Sequence, residues 1–202
     1  MELIKIKERL KDKLDKTRYE HTIGVADTAA CLSMSYGYDM NKAYLTGLLH
    51  DCAKCVDDEK KVKECIERNI EISDIEMNNK SLLHAKLGAA YASEKYEVND
   101  IEVLDAIRCH TTGKPDMNML EQIIFVADYI EPNRNKAENL PMVRSLAFDD
   151  LDLCTFVILR DTLSYLETKD MAIDITTKET YNFYKKIIER NPLYEGYIKD
   201  NL

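Results

Sequence analysis

The segment Tyr44-Leu45-Thr46-Gly47-Leu48-Leu49-His50-Asp51 runs through apolar residues and ends on an imidazole and a carboxylate side by side. If it is helical, adjacent side chains diverge by about 100°, so His50 and Asp51 meet one ion only when that ion lies between their directions, near the helix end. Gly47, one turn earlier, leaves space there. A second segment has the same character. Ile123-Ile124-Phe125-Val126-Ala127-Asp128-Tyr129-Ile130 is apolar around most of its circumference yet carries Asp128. An unpaired carboxylate in such surroundings is costly or takes up a proton. A metal ion removes that penalty; so does a buried His or Arg partner.

Outward from these two segments, apolar residues recur at spacings of three and four almost everywhere, which is the pattern of amphipathic helices. Helices are expected over about 2–16, 18–35, 40–52, 57–69, 81–96, 100–110, 117–130, 141–147, 150–169 and 176–190, and alternation of the strand type is nearly absent. Gly37 closes the second helix, Asp39 caps the third, Ser81 caps the fifth, and Thr176 with Glu179 forms a capping box before the last. Pro115, Pro132, Pro141 and Pro192 fall at the breaks. The 202 residues hold only 6 Gly and 4 Pro, fewer than average usage, which favours long helices over many short strands. No repeat or low-complexity linker divides the chain. The expectation is one all-α domain over 1–202, with a helical bundle over about 18–135 and the C-terminal helices, about 141–202, packed on it.

The charge balance, 28 Lys and Arg against 37 Asp and Glu, is −9 and includes no long basic block. Duplex nucleic acid and anionic membranes are therefore not expected partners. Met1 to Lys16 interleaves charges where an export signal needs an apolar run, and the longest apolar run, Ile123 to Ala127, is far short of a span. A cytoplasmic protein is expected, with its cysteines as free thiols. Cys52-x-x-Cys55 lacks a second pair or a nearby His to complete a structural zinc site.

The four histidines, His21, His50, His84 and His110, each fall in or at the end of a different expected helix. One such histidine is ordinarily a hydrogen-bonded core residue, but four in the company of Asp51 and Asp128 form a mixed nitrogen and oxygen donor set suited to iron, manganese or zinc. Thr111-Thr112-Gly113-Lys114 after His110 reads as a loop offering hydroxyls and N–H groups, or as a plain connecting turn. Tyr181, Tyr184, Tyr194 and Tyr197 sit at spacings that suit core packing or stacking on a base.

His21, the His50-Asp51 doublet and Asp128 fall at the spacing of the HD-domain metal-dependent phosphohydrolases, and His84 and His110 match the additional histidines of their two-metal branches. Leu49-His50-Asp51-Cys52-Ala53-Lys54 with Val126-Ala127-Asp128-Tyr129-Ile130-Glu131-Pro132-Asn133-Arg134 resembles the YqeK-type group, bacterial symmetrical diadenosine tetraphosphate hydrolases. The likeness runs from about Arg18 to Asn182. The chain departs from it at Cys52 and Cys55, and at Asp174-Ile175, where many relatives carry His-Pro.

The resemblance implies an HD-type bundle with a metal site between helices, and hydrolysis of diadenosine tetraphosphate to two ADP by a metal-activated water. It implies His21, His50, Asp51 and Asp128 as metal ligands, with iron the expected ion and manganese or zinc as alternatives. His84 and His110 then hold a second ion or face the phosphates, and Asp51, His84, His110 and Lys54 form the catalytic group. Substrate contacts are expected from His21, Lys54, His84, His110, Thr111, Asp128 and Arg134. Other expectations on the same scaffold are hydrolysis of a dNTP, cyclic dinucleotide or guanosine polyphosphate, or non-catalytic nucleotide binding. A dimer is compatible with the sequence.

Overall fold

The computed structural model describes residues 1–194 and, among them, contains helices and no strand. In chain order these are α1 (Leu3–Lys13), α2 (Lys16–Ser35), α3 (Met40–Leu49), α4 (Asp58–Glu67), α5 (Asp74–Asn78), a 3₁₀ turn (Lys80–Leu82), α6 (Leu83–Tyr96), α7 (Ile101–Cys109), α8 (Met119–Ile130), α9 (Leu140–Asp149), α10 (Leu151–Thr168), α11 (Ile175–Arg190) and a second 3₁₀ turn (Pro192–Tyr194). Among the described residues, no helix is long and apolar enough to cross a membrane.

Much of the acidic surplus is placed at helix starts, where free N–H groups need acceptors. The side chains of Asp15, Asp39, Asp57, Asp100, Asp150 and Asp174 accept the first-turn N–H bonds of α2, α3, α4, α7, α10 and α11. Ser73 with Glu76, and Asn118 with Glu121, form complete capping boxes on α5 and α8. Several expected boundaries change accordingly. Asp174 caps α11 through Thr176 N, so no Thr176-Glu179 box forms. Ser81 lies inside a 3₁₀ turn and its side chain caps nothing. The third helix ends at Leu49, not at 52, because the chain passes Cys52 N to Leu49 O and Lys54 N to Asp51 O in successive tight turns.

α8 is the central element: every residue from Leu120 to Ala127 is buried, and the helix lies against α2, α3, α7 and α10. The apolar half of α10, Leu151 to Leu159, completes that core, and α11 packs on α10. Gln122 of α8 donates to both Asp152 of α10 (2.8 Å) and the buried Tyr184 hydroxyl of α11 (2.7 Å), tying the C-terminal pair to the centre. Tyr181 stacks on Phe156 and Tyr194 donates to Asp150, so these tyrosines hold α11 and the following turn in place; Tyr197 lies outside the described residues.

Gly47 does not make room for an ion. A Cβ there would sit 2.7 Å from Ala26 Cα and 3.0 Å from Ala26 N, so the glycine lets α3 lie directly on the backbone of α2. Those two helices carry His21 and His50, and their separation sets the distance between the two rings. Gly47→Ala is expected to destabilise the protein by about 1–3 kcal/mol, since backbone must move to relieve the overlap. Gly88→Ala, where the new Cβ meets only ordinary contacts of 3.4 Å or more, is expected to be neutral or slightly stabilising. Urea unfolding midpoints of the two variants measure the contrast.

Candidate metal centre

Five helices bring their chemistry to one place. His21 is in the second turn of α2; His50 follows the last residue of α3 with Asp51 next to it; His84 is the second residue of α6; His110 follows the last residue of α7; Asp128 lies two residues before the end of α8. The four imidazoles and Asp51 are buried, while the Asp128 side chain keeps 23% of its surface and reaches solvent.

Three of the four rings are fixed by the same local device. His50 Nδ1 donates to Gly47 O (2.6 Å), His84 Nδ1 to Ser81 O (2.5 Å) and His110 Nδ1 to Ile107 O (2.7 Å), each to the carbonyl three residues back. His21 Nδ1 instead lies 3.1 Å from Glu131 Oε1. With the Nδ1 proton assigned by these acceptors, every Nε2 presents a lone pair inward. Those lone pairs converge: His21 and His50 Nε2 are 3.3 Å apart, and His84 and His110 Nε2 are 3.1 Å apart.

Asp51 stands between the two pairs. Its Oδ2 is 3.4 Å from His50 Nε2 and 3.7 Å from His21 Nε2, while Oδ1 is 3.1 Å from His84 Nε2 and 3.7 Å from His110 Nε2. Asp128 Oδ1 is 3.1 Å from His21 Nε2. Two ligands each about 2.1 Å from one ion are themselves about 3–4 Å apart, which is the spacing seen here. Donor atoms of His21, His50 and Asp51, of His50, His110 and Asp128, and of Asp51, His84 and His110 each lie within 4.8 Å of one another. Asp51 Oδ1 is buried with no hydrogen-bond donor. Lone pairs facing lone pairs around an orphaned carboxylate oxygen repel one another, and a divalent cation is the group that reverses that; the residues fit one.

Burial pushes the Asp51 carboxyl up, but His50, His110 and His84 outweigh it and hold Asp51 well below the usual carboxylate range. Burial likewise raises Asp128, and the His21 hydrogen bond, the neighbouring His50 and the Arg134 guanidinium more than reverse it. Burial pulls His84 down to about 4, so its ring is neutral near pH 7, the form a metal ligand requires.

Around the cluster, Lys54 Nζ lies 3.3 and 3.4 Å from the two ring nitrogens of His84, with its pKa lowered by burial. The Thr111 hydroxyl is 3.1 Å from His110 Nε2 and 3.3 Å from His84 Nε2. Arg134 is turned onto Asp128: its Nε donates to the Asp128 carbonyl (3.0 Å) and Nη2 to Oδ1 (2.7 Å). Beside Thr111 opens a cleft of about 380 Å³ whose lining includes Arg108, Thr112, Asp174 and Thr176. The structure thus brings the four histidines, Asp51 and Asp128 together with Lys54, Thr111 and Arg134, while Tyr181, Tyr184 and Tyr194 lie in the packing of α11 and the turn after it.

Two residues at the cluster escape the sequence pattern. Arg18, in the first turn of α2, donates from Nη1 to Asp51 Oδ2 at 2.7 Å. Glu131, buried just past α8, holds His21 with Oε1 and accepts from Asn133 N and Nδ2 with Oε2. A Cβ on Gly24 would overlap that carboxylate, so the glycine admits Glu131 under α2. Glu131 lies inside the Val126–Arg134 stretch that carries the family resemblance, three residues after Asp128, whereas for Arg18 the signal available was spacing alone, one turn before His21.

The HD domain family model matches residues 18–133, a span that contains every one of these donor residues. The chain belongs to the HD domain family. Within it, the chain is 42% identical over 173 residues to the symmetrical bis(5'-nucleosyl)-tetraphosphatase of Halalkalibacterium halodurans, covering 86% of this chain and 91% of that one. It is 35% identical over 192 residues to the protein of the same name from Staphylococcus aureus, covering 94% and 98%. A crystal structure from Clostridium acetobutylicum, titled a "predicted HD superfamily hydrolase involved in NAD metabolism", superposes with a TM-score of 0.89 at 35% identity, covering 93% of this chain and 98% of that one. In this HD domain the second layer of the centre is the Glu131 carboxylate behind His21. Glu131→Ala is expected to weaken Mn²⁺ binding about 10–100-fold by freeing the His21 ring and its tautomer, with helical circular dichroism retained. Calorimetric titration of the ion into both proteins provides the check.

Proposed function

We propose that this HD domain protein is a metal-dependent phosphohydrolase that cleaves diadenosine tetraphosphate symmetrically to two ADP. The observation that carries the reading is the convergence of four histidine Nε2 atoms on two carboxylates, with Lys54, Arg134 and Thr111 at its edge. The names of the relatives from Halalkalibacterium halodurans and Staphylococcus aureus support the substrate. We take iron as the resident ion, held by His21, His50, Asp51 and Asp128, and the cytoplasm as the place of action. When bound, a divalent ion supplies Lewis acidity toward water and toward a phosphoryl oxygen.

The chain's own groups perform the remaining tasks. Burial excludes bulk water from His50, His84 and His110, so charge on the substrate is felt strongly there. Lys54 places an ammonium against His84, facing the phosphates. Thr111 offers a hydroxyl beside both rings, and Arg134, oriented by Asp128, keeps Nη1 for a phosphate oxygen. Water adds to one of the two inner phosphorus atoms, the central P–O bridge breaks, and each half departs as ADP. The cleft beside Thr111 is of a size to take one nucleoside. Oδ1 of Asp51, which faces His84 and His110, serves a second ion or leaves those rings to the phosphates; the metal-to-protein ratio decides between them.

Purified protein supplied with iron or manganese is expected to convert diadenosine tetraphosphate to ADP as sole product, read by chromatography. AMP with ATP as products, or no turnover with any divalent ion, would overturn the reading. His50→Ala and Asp128→Ala are each expected to lose metal retention and turnover together, the loss in rate exceeding about 10²-fold, while helix content is unchanged.

A further inference from the structure

Arg18 is placed at the centre without a role in the metal donor set. The Asp15 cap fixes its backbone at the start of α2, with Arg18 N donating to Asp15 Oδ1 at 2.8 Å, and the side chain runs inward to Asp51. The contact is made by Nη1 alone. Nε and Nη2 donate to none of the described residues, and 28% of the side chain remains exposed, against 3% for Asp51 beneath it. A guanidinium has five N–H groups in a planar fork, so four of them are left without an acceptor among the described residues.

The other cations at the site differ from it in this respect. Lys54 is drawn over the His84 ring, and Arg134 uses both Nε and Nη2 on Asp128. A tetraphosphate brings several negative charges into a cluster that already holds Asp51 and Asp128. The positive group with the most free donors, adjacent to the oxygen of Asp51 that faces His21 and His50, is Arg18. Resting on the reading of the site as a polyphosphate hydrolase, we propose that Arg18 is a substrate-contacting residue: it keeps Nη1 on Asp51 and presents Nε and Nη2 to a phosphate group of the bound nucleotide. The bidentate fork suits two oxygens of one phosphate, which an ammonium at the same place does not match.

A residue serving only to orient Asp51 gives a different result on substitution, so the test separates metal binding from phosphate binding. ADP and inorganic diphosphate are titrated calorimetrically into Mn²⁺-loaded wild type, Arg18→Gln and Arg18→Lys, and Mn²⁺ itself into each metal-free protein. Arg18→Gln is expected to bind both ADP and diphosphate about 10–100-fold more weakly, as loss of charge-assisted hydrogen bonds gives, with Mn²⁺ affinity within about threefold of wild type. Arg18→Lys is expected to recover only part of the loss. Unchanged ADP and diphosphate affinity in Arg18→Gln would overturn the proposal, as would a tenfold or greater loss of Mn²⁺ affinity, which marks Arg18 as acting through Asp51. Failure of the hydrolase reading would show separately, as a wild type that releases no ADP from diadenosine tetraphosphate.

Discussion

The structure turns on a buried carboxylate surrounded by imidazole lone pairs. Asp51 touches neighbours from α2, α6 and α7 while sitting at the end of α3, so its position is a junction of four helices. Such a group is destabilising without a cation, and the surrounding fold is arranged to hold it nonetheless. Gly47 lets α3 lie on α2, α8 fills the space behind with apolar side chains, and Arg18 gives one Asp51 oxygen a charged partner. Binding chemistry is concentrated where folding free energy is lost.

Precision at the cluster comes from repeated use of helix geometry. A histidine in the first or last turn of a helix can turn its Nδ1 proton onto the carbonyl three residues earlier, and His50, His84 and His110 all do so. Each ring is thereby locked by its own segment, and only the relative placement of segments remains to be fixed by packing. His21 lies inside a longer helix where backbone carbonyls are already engaged, and it takes Glu131 instead. That substitution requires a glycine in α2 and a chain reversal after α8, which ties His21 to the Pro132–Arg134 turn.

The helical architecture was legible in spacings of three and four, and the cluster of histidines with Asp51 and Asp128 in the rarity of histidine and the placement of those two carboxylates. What was not legible has a common cause. Arg18 sits in a charged stretch where an arginine reads as solvent-facing, and only the fold shows that its side chain turns inward. Glu131 lies beyond a helix end, where periodicity stops carrying information about direction. α5 is too short for any period, although its Ser73-x-x-Glu76 box was there to be read. Gly47 reads as space for an ion within α3 alone; that space is taken by the backbone of α2, which linear sequence does not place beside it.

The two oxygens of Asp51 face different company: Arg18, His21 and His50 on one side, His84 and His110 on the other. The centre therefore has no two-fold axis, whereas the proposed substrate has one through its middle bridge. Either end of the molecule can enter first and lead to the same two products, a degeneracy of orientation that favours productive binding by RT ln 2, about 0.4 kcal/mol. An asymmetric protein surface is thus sufficient for a symmetric cut, since the substrate supplies the symmetry and the protein has only to measure distance along the phosphate chain from one end.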